Sequence, residues 1–146
     1  MAEITIVRTP QQREDAISVR VAVFVDEQGI PREEEIDELD EAAVHCVGYG
    51  SDGVPVAVGR LVLMDGYGKI GRMAVLKQHR GSGIGAAVLD ALEREGAARG
   101  VRLFKLSAQL SARGFYDRAG YEAEGGVYDE AGIQHIAMWK RIVDTS

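Results

Sequence analysis

The chain has 146 residues, a length typical of one domain, and 46% of them are hydrophobic, which is enough for a continuous core. Its formal net charge of −6 argues against nucleic-acid binding, because that function requires a basic face. No apolar run suggests a membrane span and the amino terminus does not resemble a signal peptide, so a cytoplasmic protein is expected.

A strand and then a helix are predicted at the start of the chain. Residues 2–8 alternate between apolar and polar side chains, as a half-buried strand does. Thr9 and Gln12 fit a capping box, which predicts that a helix begins there and ends near Gly29. The predicted inner face of this helix consists of residues at helical spacing: Ile17, Val21 and Phe24.

A strongly acidic stretch follows over residues 32–41. It contains the carboxylates Glu33, Glu34, Glu35, Asp37, Glu38, Asp40 and Glu41. Such a charge run predicts a solvated surface, formed as an ordered loop or a short second helix. The alternative is that the run attracts a cationic amine.

The middle of the chain predicts three strands, over residues 44–50, 54–64 and 69–76, joined by glycine-containing turns. Short links of this kind indicate an antiparallel meander. The single cysteine, Cys46, lies in an apolar stretch of the first of these strands, which favours a core residue over a nucleophile.

The second half alternates helices and strands. Residues 83–99 predict a helix with the apolar stripe Ile84, Ala87, Val88, Ala91 and Leu92. A strand over 101–107 should run parallel to the strand before this helix. Ser111 is expected to cap a short helix that ends at Arg118, and residues 122–128 and 134–141 predict a final hairpin. The whole chain, residues 1–146, is therefore expected to form one α/β domain around a mixed sheet.

The most informative segment is Arg-Gly-Ser-Gly-Ile-Gly, residues 80–85, between a strand and a helix. The first amides of a helix have no hydrogen-bond acceptors within the helix, and this turn has no bulky side chains. Together these features predict an anion site suited to a diphosphate. A P-loop would need a lysine after the glycines, and a dinucleotide site would need an acidic residue at the end of the next strand; the sequence has neither. A turn that merely connects strand and helix is the other alternative.

These residues resemble the Arg/Gln-x-x-Gly-x-Gly/Ala signature of the GNAT acyltransferases. Residues 115–121, Phe-Tyr-Asp-Arg-Ala-Gly-Tyr, are similar to a second segment of that family, and residues 20–28 with Asp37, Asp40 and His45 resemble its small bacterial ElaA/YjcF-like branch. The resemblance covers nearly the whole chain. It implies a mixed, mostly antiparallel central sheet with helices on both faces.

The resemblance also implies an activity, the direct transfer of an acetyl group from acetyl-CoA to a primary amine of a small molecule or peptide. Neither an acyl-enzyme nor a metal is expected, and a homodimer is compatible with the sequence. The residues that the resemblance places at the cofactor are Met73, Ala74, Val75, Arg80, Gly81, Ser82, Gly83, Ile84, Gly85, Ala86, Gln109 and Phe115. Gln109 departs from the asparagine that relatives often carry. The alternative function is a non-catalytic acyl-CoA-binding module or sensor.

Acyl transfer to an amine needs a general acid, a base and donors to the carbonyl oxygen. Tyr116 matches the position of the family's general acid, and the amides of Ala74 and Val75 are expected to polarise the carbonyl. Four residues remain open as the base: His45, Glu27, Asp40 and His135. The residues expected to line the amine pocket are Phe24, Glu27, Gln28 and Tyr128.

Overall fold

The computed structural model describes residues 2–142. Its strands are β1 (Glu3–Ile6), β2 (Val44–Tyr49), β3 (Pro55–Leu63), β4 (Gly68–Val75), β5 (Leu103–Gln109), β6 (Glu122–Glu130) and β7 (Ile133–Arg141). Its α-helices are α1 (Pro10–Arg20), α2 (Arg32–Glu35), α3 (Ile84–Ala98) and α4 (Arg113–Arg118). A π-helical segment, Val21–Glu27, continues α1, and short 3-10 turns lie at Glu38–Asp40, Lys77–His79 and Leu110–Ala112.

All seven strands belong to one sheet, in the order β1-β2-β3-β4-β5-β7-β6. Only β4 and β5 run parallel, and every other neighbouring pair is antiparallel. Helix α1 packs on one face, against Val47 and Val58, whereas α3 packs on the other, against Cys46 and Leu61. The predicted fold class, with a mixed, mostly antiparallel sheet between helices, is confirmed.

The centre of the sheet is buried on both faces because a helix covers each of them. Cys46 in β2 is fully buried, and this burial raises the pKa of its thiol to about 12. The expectation of a core cysteine is therefore confirmed, since a thiol with so high a pKa is a poor nucleophile. None of the helices between residues 2 and 142 has the length and apolar character that crossing a membrane requires.

The buried face of α1 differs from the predicted one. Thr9 and Gln12 do form the capping box, but Ile17 and Val21 are only half-buried. Phe24 is buried as predicted, and the rest of the inner face consists of Ala16, Val19, Arg20 and Val23. The face is rotated because Arg20 is fully buried against two carboxylates and belongs to it.

Two local predictions at the end of the chain also need correction. Ser111 does not cap a helix; it lies inside a 3-10 turn, and α4 begins at Arg113 without a side-chain cap. The final hairpin is tighter than predicted, because a two-residue turn at Ala131 and Gly132, both with positive φ, allows longer strands.

A β-bulge interrupts β4 where it pairs with β3. Val58 faces Ala74 and Arg60 faces Gly71, so Gly59 is opposed by two residues, Arg72 and Met73. On its other side, β4 pairs with β5 only as far as Ile70, opposite Leu106. The bulge thus begins where β4 and β5 stop pairing, and a gap opens between the two strands beyond it.

Candidate active site

A cavity of about 650 Å³ opens on the α1 side of the gap between β4 and β5. Its walls come from the π-helical segment, α2, β4, the end of β5 and the turn between β6 and β7. The predicted site residues that line it are Phe24, Glu27, Gln28, Met73, Ala74, Val75, Arg80, Gln109, Tyr116 and His135. Residues predicted from four separate parts of the sequence therefore meet around one space.

The gap exposes backbone groups of β4. The amide of Leu76 donates to the carbonyl of Val56 on β3, at 2.8 Å. Because amides alternate in direction along a strand, the N–H of Val75 points away from β3 and into the gap, whereas that of Ala74 points toward β3. Of the two amides expected to polarise a carbonyl, the one of Val75 has the suitable direction.

The glycine turn lies beside this gap. Gly81 and Gly83 have φ of +83° and +89°, a region that glycine enters at little cost. The first backbone bond within α3 runs from Ala87 to Gly83, which leaves the amides of Ile84, Gly85 and Ala86 without helical partners. These amides carry the positive end of the helix dipole and can bind a diphosphate.

Close packing joins this turn to the gap. A Cβ added to Gly85 would lie 3.2 Å from Cγ2 of Val75 and 3.5 Å from Cε1 of Phe115. The absence of a side chain at Gly85 therefore lets the start of α3 approach the end of β4. Phe115 packs at the same point, so the structure gives it a packing role. The expected cofactor site lies beside it. Ser82 closes the turn by donating from its hydroxyl to the carbonyl of His79, at 2.6 Å.

Arg80 connects the turn to the opposite wall of the cavity. Its Nε donates to the carbonyl of Val75 at 2.9 Å, and its two Nη atoms donate to both oxygens of Glu27 at 2.9 and 2.7 Å. The hydrogen bonds from Arg80 lower the pKa of the Glu27 carboxyl. A carboxylate held in this way is a weaker base than an ordinary glutamate, which disfavours Glu27 in that role.

Tyr116 on α4 is buried and reaches the cavity. Within residues 2–142 its hydroxyl has no hydrogen-bond partner, and its ring packs edge-on against Phe115 and Tyr121. Burial raises the pKa of Tyr116 above its ordinary value, so the phenol keeps its proton and can donate it.

The two candidate histidines lie in different places. His45 is buried on β2, outside the cavity lining, with Nε2 2.8 Å from the carbonyl of Asp40, and burial lowers its pKa. His135 lines the cavity, and its Nδ1 is 2.7 Å from the carbonyl of Ile133. Since a carbonyl only accepts, Nδ1 carries the proton, and Nε2 is the acceptor nitrogen, 3.6 Å from a carboxylate oxygen of Glu130. Position therefore favours His135 over His45, because only His135 lines the cavity.

The expected amine pocket is partly assembled by side-chain pairs. Gln28 and Gln109 exchange two amide hydrogen bonds, of 2.9 and 3.3 Å, between the π-helical segment and β5. Tyr128 is not part of the cavity lining, but its hydroxyl bonds to Ser107, which is, and its ring stacks on His135. Phe24 supplies an apolar wall.

A largely buried charge cluster, which we call the arginine–carboxylate network, underlies one side of the cavity. It comprises Arg20, Arg60, Arg72, Glu35, Asp37 and Asp40. Arg20 donates to Glu35 at 2.8 Å and to Asp40 at 2.6 Å. Three guanidinium groups balance three carboxylates, so the network carries no net charge when all six groups are ionised.

This network corrects the interpretation of the acidic stretch. Glu35 and Asp40 are only 2% and 4% exposed, so a fully solvated surface is wrong for them. Burial alone would raise the pKa of Asp40, but hydrogen bonds from Arg20 hold it well below its usual range. With those oxygens engaged, Asp40 is also a poor base, and it lies outside the cavity lining.

The arginines of the network were not identified from the sequence as functional residues. Two of them could have been found because a charged residue stands on an otherwise apolar face. Arg20 lies beside Ala16 and Val19, and Arg60 lies within β3. No three His, Cys, Asp or Glu side chains converge into a metal-binding group within the described part of the chain.

Comparison with known proteins finds the same architecture. The family model "Acetyltransferase (GNAT) domain" matches residues 9–142. The uncharacterized N-acetyltransferase YjcF of Bacillus subtilis strain 168 is 43% identical over 136 residues, which cover 92% of this chain and 96% of YjcF. An acyl-CoA N-acyltransferase from Pseudomonas aeruginosa is 28% identical with a TM-score of 0.84, covering 96% of this chain and 99% of its own. Escherichia coli ElaA is 28% identical with a TM-score of 0.83, covering 97% and 100%.

Proposed function

Because the chain belongs to the GNAT family of acetyltransferases, we propose that it transfers an acetyl group from acetyl-CoA to a primary amine in one direct step. The observation that carries this proposal is the gap between β4 and β5, into which the N–H of Val75 points, beside the free amides at the start of α3. A diphosphate at those amides would leave a thioester arm free to enter the gap.

The residues of the cavity supply the groups that the reaction requires. The amine nitrogen forms a bond to the thioester carbonyl carbon, and the N–H of Val75 stabilises the negative charge on the oxygen. The carbon–sulfur bond then breaks, and Tyr116 gives its proton to the sulfur. The attacking nitrogen loses one proton to Nε2 of His135, directly or through a water molecule.

Binding and turnover together test this function. We expect calorimetry to detect CoA binding, and a thiol-release assay to detect CoA formation from acetyl-CoA with at least one amine among polyamines, amino sugars, aminoglycosides and peptides. Tight binding without thiol release from any amine would favour the acyl-CoA-binding module instead. Absence of binding would contradict both functions.

Gly83→Ala tests the diphosphate site at the start of α3. Alanine at φ +89° costs about 1–2 kcal/mol of backbone strain and distorts the turn that aims the amides. We expect the Kd for CoA, measured by calorimetry, to rise about tenfold. Gly53→Ala is the matched control, because Gly53 has φ +81° and equal space but lies in the turn between β2 and β3. The assignment fails if both variants bind CoA equally well.

His135→Asn tests the proposed base. The asparagine amide can keep the hydrogen bond that Nδ1 makes to Ile133, while Nε2 is lost. We expect kcat in the thiol-release assay to fall about 10²-fold, with the Kd for CoA unchanged. His45→Gln is the control, because it keeps an amide near Nε2 at a site outside the cavity, and kcat should stay at the wild-type value. Equal kcat for His135→Asn and wild type would exclude His135 as the base.

A further inference from the structure

The bulge in β4 places Arg72 in an uncommon backbone conformation. Its φ is +54°, a left-handed value that a residue with a side chain adopts at a cost. The bulge also changes which face the side chains occupy. Without the extra residue, side chains would alternate strictly and Arg72 would point toward α3. With it, Gly71 and Arg72 both face the cavity side.

The side chain of Arg72 is held there by the arginine–carboxylate network. It donates to the carbonyl of Glu35 at 3.2 Å and to the carboxylate of Asp37 at 3.1 Å, and it lies 3.1 Å from the carboxylate of Glu35. Arg20 and Arg60 hold these same carboxylates from α1 and β3. One guanidinium thus ties the bulge to the wall of the cavity formed by α2 and the residues after it.

The alternative is that local packing alone shapes the bulge. Met73 does pack tightly over Gly59, where an added Cβ would lie 2.5 Å from its sulfur. That contact lies on the α3 side of the strand, together with Val88 and Leu92. On the cavity side, an added Cβ at Gly71 would meet no atom of residues 2–142 within 4 Å, whereas the side chain of Arg72 makes the hydrogen bonds described above.

We propose that Arg72 is a positioning residue, which holds the β4 bulge in the geometry that aims the N–H of Val75 into the gap. This inference rests on the proposed acetyl transfer for its catalytic consequence. A bulge bends its strand and increases its twist, so its geometry sets the direction of the residues that follow. Arg72 itself touches neither the acyl donor nor the amine in this assignment; it acts through the backbone of residues 73–75.

The test compares Arg72→Gly with Arg72→Lys. Glycine accepts φ +54° without strain but has no side chain, whereas lysine keeps the charge and loses the planar fork that bonds two partners. Arg94→Ala is the control, since Arg94 lies on the surface of α3 with its side chain 81% exposed. The readouts are kcat, the KM for acetyl-CoA, the Kd for CoA, and the chemical shift of the Val75 amide in the free protein.

For both Arg72 variants we expect kcat to fall by up to about 10²-fold, while the Kd for CoA stays near the wild-type value, because misplacement of one donor affects the reaction step. The Val75 amide shift should move in both. Wild-type kcat in Arg72→Gly would overturn the proposal, because the backbone would then hold the bulge alone. A lower kcat with an unmoved Val75 amide would overturn it too.

A second variant separates this inference from the proposed function. Asp37→Asn weakens the hold on Arg72 from outside β4, and its amide oxygen can still cap the 3-10 turn that follows. The Val75 amide should shift in the same direction as in Arg72→Lys, by a smaller amount. If the wild-type protein turns over no amine, the proposed acetyl transfer is contradicted, but the chemical shift of the Val75 amide still tests the positioning role. A changed shift in these variants supports that role, and an unchanged shift overturns it.

Discussion

Tyr116→Phe is expected to lower kcat for acetyl transfer about 10³-fold, because it removes the group that protonates the departing sulfur. Tyr116 lines the cavity, and its hydroxyl has no hydrogen-bond partner within residues 2–142. Its loss should therefore leave the free energy of unfolding within about 0.5 kcal/mol of wild type. Thiol release at saturating acetyl-CoA measures the first quantity and urea denaturation the second.

Tyr121→Phe is the matched control for this variant. Tyr121 is also buried and packs against Tyr116, but its hydroxyl donates to Glu93 at 2.8 Å and does not line the cavity. We expect a loss of about 1 kcal/mol in the free energy of unfolding and no change in kcat. The assignment of Tyr116 as general acid is wrong if Tyr116→Phe turns over acetyl-CoA as fast as Tyr121→Phe does.

Arg20→Met is expected to lower the free energy of unfolding by about 3–5 kcal/mol, the cost of leaving buried charges without a partner. Methionine fills much of the same volume, so the lost charge and its hydrogen bonds to Glu35 and Asp40 dominate. Urea denaturation measures the change. Arg94→Ala on the surface of α3 should change it by less than about 0.5 kcal/mol.

The loss in Arg20→Met should depend on pH. Burial already raises the pKa of Glu35 above its ordinary value, and removing Arg20 raises it further. A carboxyl with a raised pKa in the folded state binds its proton more tightly there than in the unfolded chain, so stability falls as pH rises. The difference between variant and wild type should therefore be larger at pH 8 than at pH 5. A loss of under 1 kcal/mol at pH 8 would contradict this account of the network.

The elements that were predicted well are those with local signals. The turn over residues 80–85 and the helix after it were correct because glycines and a continuous apolar stripe determine them over a few residues. The meander was correct because its turns are short. No local pattern indicates the gap between β4 and β5, because it depends on where two strands separated by a helix stop pairing.

The features that were missed depend on contacts between distant parts of the chain. Arg20 pairs with carboxylates 15 and 20 residues away, so its own helix shows that it lies on an apolar face but not which groups balance its charge. The positive φ of Arg72 was also missed, because it accompanies a register shift against β3 and contacts to Asp37 and Glu35, which lie far from Arg72 in the sequence. His45 and His135 looked alike as strand histidines, and only the fold separates a structural residue from one that lines the cavity.

The burial of Cys46 has a practical consequence for following the reaction. It is the only cysteine in the chain, it is fully enclosed between α3 and the sheet, and its thiol has a pKa of about 12. A thiol-specific dye added to the folded protein will therefore label released CoA without a background from the enzyme. In the absence of substrate, slow labelling of Cys46 would measure the fraction of molecules in which the central sheet has opened. The same dye can therefore report both turnover and unfolding.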